Sequence, residues 1–192
     1  MIVLVLPDLA TEDRLLAQAK RGDQMAIMRI YDAFFPPIYQ YIRLRVGDAM
    51  TAEDLTSDVF VKLISALNGP SAPRDSLRGW LFRVARNAII DHVGTQAKVA
   101  ESTLEDWLKD TTDNQPEFEF LRMASQQRAQ NAVRMLAAEQ QEVLVLRFGQ
   151  QLSLQETADV MGKSLSAVKS LQWRAVETLR GILNGDPSQR SA

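Results

Sequence analysis

Five side chains near the C-terminus are suited to meeting a nucleic acid. Plotted at ~100° per residue, Ser166, Lys169, Ser170 and Trp173 share one helical face, with Arg174 at its border. Lys and Arg pair with phosphate oxygens or guanine edges, Ser bonds to either, and Trp offers an apolar contact to a thymine methyl or a sugar. A merely solvated face seldom keeps a tryptophan. The same face would also suit a helical hairpin docked on a protein, with Trp173 as its anchor. A second set lies on the stretch 76–93, where Arg83, Arg86, Asn87 and Ile90 oppose the apolar side. Two cations and an amide fit phosphate and base-edge contacts, although a solvated face has the same composition. Trp80 and Phe82 sit beside it, suited either to stacking on unpaired bases or to the core. A third set, Glu53, Asp54, Asp58, Lys62 and Ser65, marks the outer face of 51–68. Acidic residues in a first turn are ordinary helix-dipole chemistry, and protein docking is the functional reading. Asp54 and Asp58 lack a third ligand in the sequence pattern, which argues against a metal pair.

The elements that carry these residues are helical. Ser153 with Glu156 three residues on fits a capping box, and the short helix it opens ends at Gly162, a left-handed C′ residue. Ser164 caps the next helix after a turn of only Gly162-Lys163, which describes a helix-turn-helix, with Ala158 small where the two helices approach. The core side of the second helix is Val168, Leu171, Ala175, Leu179 and Ile182. Upstream, Thr11 is a good helix start and Gly22 its end. Asp23 caps a helix that must kink or stop at Pro36-Pro37 before resuming to Val46. Thr51 opens a helix to about Asn68 with a Leu55, Val59, Leu63, Leu67 stripe. After the loop 69–75, a helix from Ser76 to Val93 buries Leu77, Leu81, Val84, Ala85 and Ala88. Further helices are expected near 117–136, 139–148, 153–161 and 164–183. No strand-period segment stands out. The fold class is all-α: two small helical domains joined by a flexible acidic linker, the C-terminal domain a helix-turn-helix.

Composition narrows the chemistry. The 192 residues carry no Cys and one His, His92. Disulfides, thiol nucleophiles, Cys-based zinc and iron–sulfur ligation are thereby excluded, and no cofactor or catalytic centre is expected. The net charge of −2 rules out holding nucleic acid by bulk positive charge. Divided by region, residues 12–98 have 12 basic and 10 acidic side chains, 99–124 have 2 and 7, and 125–185 have 7 and 5. Two mildly basic blocks thus flank an acidic tether. The apolar start Met1–Leu6 stops at Pro7 with no preceding cation, unlike a secretory signal, and no run reaches the ~18–20 apolar residues of a membrane span. A cytoplasmic protein without membrane insertion is expected.

Taken in order, five segments resemble one known family. They are AEDLTSDVFVKL from Ala52, GWLFRVARNAIIDH from Gly79, QEVLVLRF from Gln141, SLQETA from Ser153 and SAVKS from Ser166, with Arg174-Ala175 and Leu179-Arg180 after them. The ordered set is similar to the bacterial extracytoplasmic-function (ECF) sigma factors, over about residues 12–93 and 125–183. The resemblance implies a subunit that binds core RNA polymerase and directs promoter recognition, melting and transcription initiation. It implies region 2 over 12–94, a linker over 95–116 and region 4 over 117–185. Asp54, Asp58 and Lys62 would then dock on the polymerase. The loop 69–75 with Trp80, Arg83, Arg86 and Asn87 would meet the −10 element and trap a flipped base. Ser166, Lys169, Ser170, Trp173 and Arg174 would read the −35 element. An anti-sigma factor is a further implied partner.

Two departures bear on affinity. Where many relatives carry arginines after Asp91-His92, this chain reads Val93-Gly94-Thr95-Gln96-Ala97-Lys98, and Leu171-Gln172 fall where relatives often place another cation. Weak binding to free promoter DNA is expected, with recognition depending on polymerase. The tether of about 22 residues spans at most ~70 Å at ~3.3 Å per residue, about two DNA turns of ~34–36 Å. It suits either an acidic chain in polymerase's nucleic-acid channels or a solvated connector. The rival to a sigma factor is a dimeric helix-turn-helix regulator that binds palindromic operators without polymerase. An adaptor on polymerase that reads no promoter is a third reading, and it leaves Trp173 and Lys169 unexplained.

Overall fold

The computed structural model describes residues 6–74, 76–95 and 131–185. Among them are α1 (Leu9–Ala19), α2 (Gln24–Val46), α3 (Ala49–Ala66), α4 (Leu77–Thr95), α5 (Ala138–Leu144), α6 (Leu154–Met161) and α7 (Leu165–Asn184), with a π turn at Val145–Gly149 after α5. The all-helical class agrees with the sequence periodicity. The tether 96–116 and most of the helix expected over 117–136 lie outside the described residues.

Aspartates rather than threonines start two of the helices. Asp8 accepts from the Thr11 N–H at 2.8 Å and from the Thr11 hydroxyl at 3.0 Å, so α1 begins before Thr11. Asp48 accepts from the Thr51 N–H at 2.7 Å and moves the start of α3 ahead of Thr51. Each carboxylate takes a donor that a helix's first turn leaves orphaned. The hydrogen bonds from Thr11 and Thr51 hold the Asp8 and Asp48 carboxyls below their ordinary values. Pro36 and Pro37 do not stop α2, which is helical from Gln24 to Val46. Each proline removes one intrahelical N–H. The buried stripe of Ile30, Phe34, Ile38, Tyr41 and Ile42, running through both, holds the helix on its neighbours.

α1 to α4 enclose one core, in which Val59, Leu63, Leu77, Leu81 and Phe82 meet the α2 stripe. Leu67 is buried as the stripe on α3 predicts, and Leu55 is half-buried. An ion pair pins the start of α4 to α1. Glu12, 1% exposed, accepts from the Arg78 N–H at 2.9 Å and from Arg78 Nε at 2.6 Å, while Arg78 Nη2 donates to the Pro7 carbonyl at 2.6 Å. Both Glu12 oxygens accept from Arg78 and a further guanidinium nitrogen has a carbonyl, which lowers the penalty of burying the charges.

The C-terminal helices build a second centre from Val143, Leu146, Leu152, Ala158, Val168, Leu171 and Ala175. The capping box forms as read: Glu156 N–H donates to Ser153 Oγ at 3.1 Å and Ser153 N–H to Glu156 Oε2 at 2.7 Å. Gly162 ends α6 at φ 63°, and Ser164 caps α7. Ala158 is buried where α6 and α7 meet. The two sets of helices also pack on each other, with α4 against α6, and their buried residues form a continuous cluster.

Removing Glu12 tests the Arg78 anchor. Glu12→Ala leaves a buried guanidinium unpaired and is expected to cost about 3–5 kcal/mol in urea unfolding. Glu177→Ala, which breaks an exposed pair with Arg180 one helical turn away, is expected to cost under about 1 kcal/mol.

Candidate nucleic-acid interface

α7 presents its predicted face to solvent because its other side is committed to the core. Val168, Leu171 and Ala175 are buried, and Leu179 and Ile182 are half-buried. Ser166, Lys169, Ser170, Trp173 and Arg174 are all exposed, Trp173 by 67%. An indole that open to water is costly to leave unused. The helix is held firmly from behind. Ser164 Oγ accepts from the Ala167 N–H at 3.2 Å, and Arg147 Nε donates to Gln172 Oε1 at 3.0 Å. Lys163 pairs with Glu139 at 2.8 Å, and the hydrogen bond from Lys163 holds the Glu139 carboxyl below its ordinary value. Leu171 and Gln172, read as lost cation positions, serve packing and this buttress instead.

The α4 set is brought together only in part. Arg83 and Asn87 are exposed. Trp80 is half-buried and its Nε1 donates to the Ser71 carbonyl at 3.0 Å, which ties the loop 69–75 to the helix. Phe82 is fully buried, T-shaped against Tyr41 at 5.3 Å, so it belongs to the core. Arg86 is not free: its Nε donates to Glu142 Oε1 at 3.0 Å, across from α5. The same oxygen accepts from the Tyr41 hydroxyl at 2.7 Å. Burial pushes the Tyr41 phenol above its ordinary value, against the opposing influence of Arg45, whose guanidinium lies 4.5 Å from the ring centre.

A cleft of about 310 Å³ opens between the loop and α4, with Trp80 and Arg83 on one side and Glu156 and Asp159 of α6 on the other. Ser76 Oγ donates to Glu156 Oε1 at 2.5 Å and accepts from the Gly79 N–H at 3.0 Å. Burial raises the Glu156 carboxyl, but the hydrogen bonds from Ser76 and Ser153 outweigh it and leave it below its ordinary value. Glu142 and Glu156 carried no sequence signal of this role, since each meets a partner 56 to 101 or 80 positions away.

On α3, Asp54, Asp58 and Lys62 are exposed in a row. Beside them lies an apolar surface absent from the sequence reading: Met28, Tyr31, Val61 and Ile64 are each more than two-fifths exposed. The Tyr31 ring packs tilted against Phe60 at 4.9 Å and Phe35 at 5.0 Å. A charged row bordered by apolar side chains has the character of a protein contact. Among the described residues no group of acidic or His side chains could hold a metal ion, and no helix is long and apolar enough to cross a membrane.

Comparison with known proteins places these helices. Residues 30–99 match the Sigma-70 region 2 family and residues 132–181 match Sigma-70, region 4. The chain is 38% identical to the ECF RNA polymerase sigma factor BldN of Streptomyces coelicolor over 180 residues, covering 93% of this chain and 68% of that one. It is 33% identical to the RNA polymerase sigma factor YlaC of Bacillus subtilis, over 78% and 87% of the two chains. The solved structure of CnrH in complex with the cytosolic domain of CnrY matches 92% of this chain and 99% of that one, with 25% identity and a TM-score of 0.62. Both regions occur in family order on one chain with relatives over nearly its full length, and the chain therefore belongs to the ECF RNA polymerase sigma factor family.

Proposed function

We propose that this sigma factor divides promoter recognition between its two helical units, residues 12–94 acting as region 2 and 117–185 as region 4, with 95–116 as the linker. Region 4 reads the −35 element in the major groove through α7. Ser166, Lys169 and Ser170 supply polar and charged contacts, Trp173 packs on a base methyl or sugar, and Arg174 holds the backbone. Region 2 meets the −10 element through the loop 69–75 and α4. Arg83, Arg86 and Asn87 face the phosphates and base edges, and Trp80 braces the loop around a flipped base. Asp54, Asp58 and Lys62, with the apolar surface beside them, dock on core polymerase. Catalysis belongs to the polymerase; the chain acts as a regulatory subunit in the cytoplasm. An anti-sigma protein is a further partner. CnrH, one of the solved structures this chain resembles, is in complex with the cytosolic domain of CnrY.

The observation that carries the reading is the exposed Trp173 on a helix whose opposite side buries Val168, Leu171 and Ala175 in the core. A dimeric regulator working without polymerase is not favoured, because it leaves the region 2 match and the docking row on α3 without a purpose. Run-off transcription with core polymerase on a promoter-fragment library tests the proposal: specific transcripts are expected only when the chain is added. A single base or backbone contact is worth roughly 1–3 kcal/mol, so Trp173→Ala is expected to lower promoter-specific initiation about 5- to 100-fold. Lys169→Ala should also flatten the salt dependence by about one unit of slope if it contacts a phosphate. Wild-type initiation from both variants would defeat the −35 assignment.

The docking row is tested separately. Asp54→Ala with Asp58→Ala is expected to weaken binding to core polymerase by at least about tenfold, while leaving the melting temperature within a few degrees because both side chains are exposed. Unchanged polymerase affinity in a pull-down titration would place the docking face elsewhere.

A further inference from the structure

We infer that Lys20, at the end of α1, is a positioning residue for base selection at the −10 element, fixing the loop 69–75 from behind. The inference deepens the proposed function and rests on its assignment of that loop to the −10 element. Lys20 Nζ donates to the Pro73 carbonyl at 2.6 Å, across 53 positions of sequence. Trp80 Nε1 donates to the Ser71 carbonyl at 3.0 Å. Two carbonyls of the loop, two residues apart, are thus each held by a donor from a different helix. Pro73 is buried, and neither Pro73 nor Lys20 lines the cleft, whereas Pro70, Ser71, Ala72 and Arg74 do. Lys20 therefore acts on the cleft through the loop and not by direct contact with a base. Region 2 is matched from residue 30, so α1 and Lys20 lie ahead of the matched segment.

The loop keeps little freedom once both tethers are in place. Pro70 and Pro73 have a fixed φ and no N–H to donate. The Ala72 N–H already donates to the Gly69 carbonyl at 3.2 Å, which closes a turn. Lys20 is itself firmly based. The Gly22 N–H donates to the Ala19 carbonyl at 2.9 Å and the Asp23 N–H to the Gln18 carbonyl at 3.2 Å, with Gly22 at φ 87°. That double closure is a Schellman turn, and Asp23 then caps α2 by accepting from the Met25 N–H at 2.9 Å. Glu12 with Arg78 ties α1 to α4, which carries Trp80, so both tethers spring from one frame. An ammonium donating to a carbonyl is a charge-assisted bond, stronger than the neutral one from the indole. A pocket tells one base from another only while its donors and acceptors hold fixed positions. Releasing the Pro73 carbonyl lets the loop shift, and the wrong bases then find partners.

Lys20→Met removes the ammonium and keeps an unbranched stem at an exposed position. The full chain with core polymerase is assayed by run-off transcription on a promoter drawn from the fragment library. Every base is substituted in turn at each −10 and −35 position. Lys20→Met is expected to reduce the preference for the best base at least about fivefold at one or two adjacent −10 positions. Preferences at −35 and affinity for core polymerase should stay as in wild type, with the melting temperature within a few degrees. Lys20→Arg, which still donates, should keep most of the preference. Trp80→Phe removes the other tether, keeps an aromatic ring and is expected to relax the same positions. The double variant should lose less than the product of the two, because both act on one loop. Unchanged −10 preference in Lys20→Met, a loss of initiation uniform over all bases, or a change confined to −35 positions would each overturn the role of Lys20. A wild-type chain indifferent to every −10 base would instead overturn the assignment of the loop on which that role rests.

Discussion

The arrangement of the molecule turns on one carboxylate oxygen, Oε1 of Glu142, which accepts from both the Tyr41 hydroxyl and Arg86 Nε. Tyr41 lies toward the C-terminal end of α2 with no exposed surface, so its hydroxyl must find an acceptor inside the protein or carry a desolvation penalty of about 1–3 kcal/mol. The acceptor comes from α5, in Glu142. The requirement of one buried phenol thereby orients the second set of helices on the first. The shared oxygen then draws Arg86 out of its exposed row on α4, while Arg83 and Asn87 stay in solvent. A core phenol, the contact between the two sets of helices and a cation of α4 are thus coupled through a single atom.

The second constraint is Glu12 with Arg78. It decides where α4 begins relative to α1, and therefore where Ser76, Gly79 and Trp80 stand relative to the loop they brace. Burying this pair is tolerable because Arg78 also donates to the Pro7 carbonyl and its own N–H donates to Glu12. Pro7, just before α1, is consequently part of the platform that sets the start of α4. The same economy recurs at Glu156, which closes the capping box of α6 with one oxygen and receives Ser76 with the other.

Local features were legible in the sequence wherever the deciding atoms are close along the chain. The capping box of Ser153 and Glu156, the left-handed Gly162 and the inside-outside division of α7 all follow from spacings of two to four residues, and all stand as read. Helix starts at Thr11 and Thr51 were misplaced because an aspartate three residues earlier is the better acceptor and uses the threonine N–H as its donor. The break expected at Pro36-Pro37 fails for a different reason: propensity weighs two missing N–H groups, whereas the fold weighs a whole buried stripe on α2. What no spacing reveals is the pairing of Tyr41 with Glu142 or Ser76 with Glu156, across 101 and 80 residues. The exposed apolar surface around Tyr31 was equally hidden, since a helix stripe does not say which of its two apolar flanks a neighbour covers.

Charge shows how the two kinds of information combine. By sequence, residues 125–185 carry a small positive excess, which favours DNA. In space that block is polar in its charge. Lys169 and Arg174 lie on the open face of α7, while Glu142, Glu156 and Asp159 gather on the opposite approach, against α4. The acidic approach faces Arg86 and the Arg83 side of the cleft, so negative side chains of one block are set against positive side chains of the other. A sum near zero is then the natural result of two complementary surfaces on one polypeptide.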